Sequence, residues 1–168
     1  MFDNCLEGIS MAYDAKIVAN YFLDLADRDH VFVSPLKLQK LVYLAHGWSL
    51  ALRGRPLLKQ SVEAWRYGPV IPALYREFKE FGGSAINRKA RLTENEELDA
   101  DTIKLIEAVW ERYKQFSATQ LSALTHEPGS AWDLTRREFR PLIPSASVIP
   151  DDLIADEFER RRQQTSGN

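Results

Sequence analysis

A single cysteine, Cys5, excludes an internal disulfide and fits a reducing cytoplasm, and three histidines leave little from which to build a metal centre. No apolar run approaches the roughly 18 residues that a membrane-spanning helix needs. The opening MFDNCLEGIS has no basic stretch leading into an apolar one, so no signal peptide is expected. Basic charge is not in excess either. With 22 basic and 24 acidic residues the net charge is −2, which gives no broad attraction to nucleic acid. Glycine-rich phosphate loops, cysteine clusters and nucleophile elbows are all missing. His126 and Glu127 are adjacent, without the i+4 partner that a shared ion requires. The chain is therefore expected to be cytoplasmic, with no metal, no cofactor, no catalytic residues, no membrane and no nucleic acid.

What is present is an ordinary globular composition, 45% apolar over 168 residues, enough to bury a sizeable core. The organising stretch is SPLKLQKLVYLAHGWSLALR, from Ser34 to Arg53. Ser34 can cap a helix with its hydroxyl, and Pro35 suits the first helical position. Gly54 then supplies a left-handed stop, and Pro56 prevents the helix from resuming. Leu38, Leu41, Val42, Ala45, Ser49 and Leu52 recur at helical spacing, while Leu36, Tyr43, Leu44, Trp48 and Leu50 extend the apolar surface most of the way round. Such a helix is buried by neighbours on nearly every side and belongs at the centre of the fold. One polar stripe interrupts it: Gln39, Tyr43, His46 and Arg53. This stripe reads either as a solvated edge or as the floor of a groove.

Around this helix the periodicity predicts a helix over residues 14–28 and a short extended connector, Val31 to Val33. Residues 61–67 alternate in the manner of a strand that Gly68-Pro69 breaks, with Ala85 to Arg91 as the expected partner in an antiparallel ribbon. Pro72 opens a short helix carrying Leu74, Phe78 and Phe81, stopped by Gly82-Gly83. Thr93 with Glu96 reads as a capping box ahead of a long helix bearing Leu98, Leu105, Ile106, Val109, Tyr113 and Phe116. Ser117 with Gln120 is a second capping box, and Ser130 caps a further turn or two carrying Trp132. Arg140 to Pro150 reads as irregular. Asp151 and Asp152 suit the start of a last helix, and Arg160 to Arg162 its end. The expected architecture is mainly α: a compact single-domain helical bundle with a small antiparallel β-ribbon. It comprises an N-terminal segment 1–13, a domain 14–162 and a disordered tail 163–168.

The runs K-L-Q-K-L…Y-x-A-H-G-W, E-A-W-R-Y-G-P-V and L-T-H-E-P-G-S-A-W follow one another between Lys37 and Trp132. In that order and spacing the chain resembles the Panacea-domain family, the SocA-like antitoxins that also include phage-associated GepA-type proteins. The resemblance runs from about residue 14 to residue 140. It implies a small helical antitoxin that neutralises a cognate toxin, encoded next to it, by direct protein contact. The family's members are paired with very different toxins, and the resemblance assigns no catalytic residue. An alternative is an adaptor that delivers its partner to a protease, or a phage accessory protein. A reading of another class is an enzyme or small-molecule binder using a pocket near His46, between Tyr43, Trp65, Tyr67 and His126.

For a toxin contact, the sequence points to a shallow aromatic groove. Trp65 and Tyr67 share one side of the strand, and Gln39, Tyr43 and His46 share one line of the central helix. His126, Glu127 and Trp132 would wall the groove, and Arg66 and Arg53 would form part of its rim. These residues are expected to be the contact surface or its immediate support, because aromatic side chains and arginine dominate binding hot spots.

Overall fold

The computed structural model describes residues 12–138 and 147–167. The N-terminal segment up to residue 11, Cys5 included, and residues 139–146 of the stretch expected to be irregular lie outside the described residues. In chain order the elements are α1 (Ala15–Asp29), α2 (Pro35–Arg53), β1 (Glu63–Trp65), β2 (Gly68–Val70), α3 (Pro72–Phe78) with a 3-10 turn after it (Lys79–Phe81), α4 (Ala100–Tyr113), α5 (Ala118–Thr125), α6 (Ala131–Glu138) and α7 (Asp151–Ser166). The fold is mainly α with one small antiparallel sheet, as the periodicity predicts.

The central helix forms as its end signals dictate. The Ser34 hydroxyl accepts from the Lys37 amide, Pro35 occupies the first turn, and Gly54 closes the helix at φ 67° with its amide on the Leu50 carbonyl. Every residue from Lys37 to Ser49 is buried. Around it pack α7, α5, α4, α1, α3 and β2, so one helix serves as the floor for almost everything else. Leu52, placed on the buried face by spacing, lies beyond that run and is exposed. Gly47 lets α7 approach: a Cβ there would collide with the Phe158 ring, which packs edge-on against Tyr43 and Trp48. Without a side chain at Gly47 the Phe158 ring can seat directly on the α2 backbone.

The ribbon exists, but its partner differs from the expected one. β1 pairs with β2 immediately after it, in the register Glu63↔Val70, Ala64↔Pro69, Trp65↔Gly68, so Arg66 and Tyr67 form a two-residue loop. Gly68-Pro69 is thus the returning strand and not a break. The Ala64 amide donates outward to the Ser147 carbonyl, so Ala64 and Pro69 face each other at a non-hydrogen-bonded position. A proline there forfeits no ladder bond. Residues 85–91 instead satisfy their backbone against α1 and the connector ahead of α2. The Asn20 amide pairs with both polar groups of Ala90, and the Ile86 amide donates to the Val33 carbonyl.

Three helix ends also bear on the expectations. Ser117 and Gln120 form the anticipated capping box, and Ser130 caps α6 through the Asp133 amide. The long helix starts later than expected, at Ala100. Its cap is Asp99, which accepts from the Thr102 amide and is itself held by the Tyr13 hydroxyl at 2.7 Å. Glu96 pairs instead with Lys59, so Thr93 and Glu96 make no cap. Finally, α7 does not stop at its arginines: it continues to Ser166, so residues 163–166 of the expected disordered tail are helical. Thr165 and Ser166 return their hydroxyls to carbonyls one turn back, and only then does Gly167 follow.

Candidate functional site

Between the N-terminal turns of α2, the hairpin and α3 lies an open groove of about 630 Å³. Leu36 and Gln39 come from α2, Trp65, Arg66, Tyr67 and Val70 from the hairpin, and Leu74, Tyr75 and Lys79 from α3 and its end. The groove is open because its rim is exposed: Tyr67 is 69% accessible and Tyr75 46%. Trp65 and Tyr75 meet edge to face at 4.9 Å, and the Trp65 indole donates to the Glu63 carboxylate at 2.6 Å. The Arg66 guanidinium lies over the Tyr67 ring, 5.4 Å from its centroid. Arg66, placed on the far side of the strand by alternation, lines the groove together with Tyr67. Both sit in the turn, where the period of two no longer applies.

The floor is rigid. Gln39 spans to the backbone of Ile71, donating to its carbonyl at 3.0 Å and accepting from its amide at 2.9 Å. Beneath the hairpin lies Lys40, with no exposed surface, donating to the carbonyls of Tyr67 and Pro69. Burial without a countercharge pushes its amine down to about 7. Gly68 sits at φ 118°, and a Cβ on it would come within 2.5 Å of the Lys40 amine. Three further side chains grip hairpin carbonyls. The Trp132 indole donates to Trp65 at 2.7 Å, Arg136 to Ala64 at 3.1 Å, and the Ser122 hydroxyl to Tyr67 at 3.3 Å.

The structure thus brings four of the nine expected residues, Gln39, Trp65, Arg66 and Tyr67, into one groove. Trp132 and His126 pack against each other behind the hairpin, rings tilted by 57° with centroids 4.2 Å apart, and support it there. Tyr43 and His46 lie elsewhere, in the buried seam between α2 and α7, each 1% exposed. The Tyr43 hydroxyl donates to Glu157, and burial, with the Glu157 charge, raises its pKa well above the ordinary value. His46 Nδ1 accepts from the amides of Leu57 and Leu58, so Nε2 carries the proton and donates to Asp151 at 2.9 Å. The polar stripe on α2 is therefore neither a solvated edge nor wholly a groove floor. It is three buried polar groups and a half-buried arginine, each satisfied by a different neighbour. Glu127 is exposed beside Arg161, and Arg53 turns to Ser49 and Thr102, far from any rim role in this groove. Among the described residues no three His, Cys, Asp or Glu side chains converge as metal ligands.

Lys40, Tyr75 and Lys79 are not singled out by pattern. Lys40 carried a usable signal, a cation inside a helix otherwise apolar on nearly all sides. Tyr75 and Lys79 carried none, because an aromatic and a lysine on the outer face of a short helix are ordinary.

These features define a small, mainly α-helical protein with an open apolar groove and no helix, among the described residues, long and apolar enough to cross a membrane. The family model described as "Antitoxin SocA-like, Panacea domain" matches residues 38–133, from the central helix to α6. The chain is also 35% identical over 162 residues to Antitoxin SocA of Caulobacter vibrioides (strain NA1000 / CB15N), covering 91% of this chain and 86% of that protein. No solved structure matches it. The chain belongs to the SocA-like antitoxin family with a Panacea domain.

Proposed function

We propose that this protein is the antitoxin of a toxin–antitoxin pair and neutralises a protein toxin by binding it directly, with the groove as the contact surface. The observation that carries the reading is a division of roles within the hairpin. Its backbone is fastened from below by Lys40, Ser122, Trp132 and Arg136, while Arg66 and Tyr67 project outward. An exposed tyrosine on a fixed backbone loses little conformational freedom on binding, and tyrosine and arginine are both enriched in hot spots. Binding rather than catalysis is further supported by the titratable groups, which are spent on structural partners: His46 on Asp151 and Tyr43 on Glu157.

The test is co-expression with each neighbouring reading frame, scoring growth. The parent protein should rescue cells from one toxic neighbour and co-purify with it. Tyr67→Ala should weaken binding at least tenfold at unchanged helicity, since the ring is exposed and the guanidinium resting on it belongs to Arg66, itself exposed. Rescue by no combination would overturn the antitoxin reading, and full rescue by the Tyr67 variant would move the contact elsewhere.

A further inference from the structure

We propose that the groove receives a segment of the toxin in which aliphatic or aromatic side chains are flanked by aspartate or glutamate. This rests on the reading of the protein as a toxin binder and specifies the chemistry of what is bound.

Three observations converge on it. First, charge. The groove lining contains two cations, Arg66 and Lys79, and no carboxylate. Neither cation has an ion-pair partner among the described residues, whereas Arg88 is held by Glu77 and Glu80, and Arg161 by Glu157. On a chain with net charge −2, a groove lined by two cations and no carboxylate is a local departure from the average. Glu63, the carboxylate on β1, is already engaged by the Trp65 indole. An incoming carboxylate would therefore meet two open donors at the edge of an apolar surface, where screening is weaker than in bulk water.

Second, apolar capacity. Leu36, Val70, Leu74 and the rings of Trp65, Tyr67 and Tyr75 line a space of about 630 Å³. That lies within the roughly 300–1,000 Å³ of ligand clefts, but the exposed rim leaves it open along its length, as a protein segment requires.

Third, neither edge of the ribbon is open. The free edge of β1 is covered by residues 147–149, with the Ala64 amide on Ser147 and the Ile149 amide on Val62. On the β2 side the Tyr67 and Pro69 carbonyls are held by Lys40, and the Ile71 backbone by Gln39. A partner cannot add as a strand, so recognition has to run through side chains. Three aromatics and two cations would also suit unpaired bases, but two charges make no track for a phosphate backbone.

The experiment is a random-peptide display library panned on the full-length protein, with Arg66→Glu/Lys79→Glu panned in parallel. Both substituted side chains are exposed, so the variant should melt with the parent by circular dichroism. Enriched peptides should carry a large apolar residue within a few positions of an acid. As synthetic peptides they should bind the double variant at least tenfold more weakly, and replacing their acids by lysine should restore binding to the variant. Enrichment without acids, no enrichment at all, or binding indifferent to the double variant each overturns the proposal. So does competition for the groove by a mixed-sequence single-stranded oligonucleotide, or dimerisation of the chain that the double variant abolishes. The two readings fail separately. Toxin rescue that survives the charge reversal sinks the groove chemistry and leaves the antitoxin intact. Failed rescue with the expected peptide preference does the reverse.

Discussion

Lys40 is the residue whose chemistry departs furthest from its type. In the folded protein its amine is pushed down to about 7 by burial, against 10.5 for an ordinary lysine, and its partners are two neutral carbonyls. Between about 7 and 10.5 the unfolded chain therefore holds a proton that the folded one has released. Stability contributed by this group rises with pH across that window, by up to about 1.4 kcal/mol per pH unit. Below about 7 both states are protonated, and the folded state carries the whole cost of a buried cation. Lys40→Met removes the titration and forfeits the two hydrogen bonds. Urea denaturation at about pH 6.5, 8 and 9.5 should show the variant gaining on the parent as pH falls and losing ground as it rises. Parallel pH profiles would mean that water or an anion compensates Lys40.

At the scale of elements, the contrast between what was legible and what was not has a physical cause. Helix ends are decided within a few residues, so Ser34, Pro35 and Gly54, and Ser117 with Gln120, could be read directly. The strand's partner could not. Val62, Ala64 and Trp65 advertise a strand without saying what pairs with it, and Gly68-Pro69 looks like an ending unless its proline is known to face a non-hydrogen-bonded site. Thr93 with Glu96 is the cap the sequence suggests, but the helix is capped by Asp99, which Tyr13 holds from 86 positions away. The same dependence on distant contacts governs Gly47. In an isolated helix Gly→Ala would stabilise by up to about 1 kcal/mol. Here the new methyl would meet Phe158, so Gly47→Ala should cost roughly 1–3 kcal/mol and loosen α7. Calorimetry gives the sign, and a melting temperature above the parent's would show that α7 can shift at little cost.

Over the whole molecule, four of the nine residues expected at a contact surface come together. Trp65, Arg66, Tyr67 and Gln39 meet in one groove, because an aromatic-rich turn and an uncharged polar residue on the central helix converge on the same end of α2. Tyr43 and His46 share the helix but face α7, a neighbour whose placement depends on Phe158 more than a hundred positions later. Periodicity gives the line along a helix; only packing says which neighbour each point of it meets. Trp132 illustrates a role intermediate between the two groups, since it contacts no groove space yet holds the Trp65 carbonyl. Trp132→Phe keeps most of the ring and removes the donor. It should cost about 1 kcal/mol and speed amide exchange of residues 63–70 more than that of α1, as read by hydrogen-exchange mass spectrometry. Equal acceleration in both regions would assign Trp132 to general stability.

The fastening of the hairpin from beneath has a further consequence, for how such a protein can change over time. Lys40, Ser122, Trp132 and Arg136 grip only main-chain oxygens, which every amino acid presents alike. The identities of the side chains at Arg66 and Tyr67 are therefore invisible to the machinery that holds the loop in place. A lineage could rewrite those letters one at a time, trying new partners while the grip stays the same, much as a type block is reset without rebuilding the press.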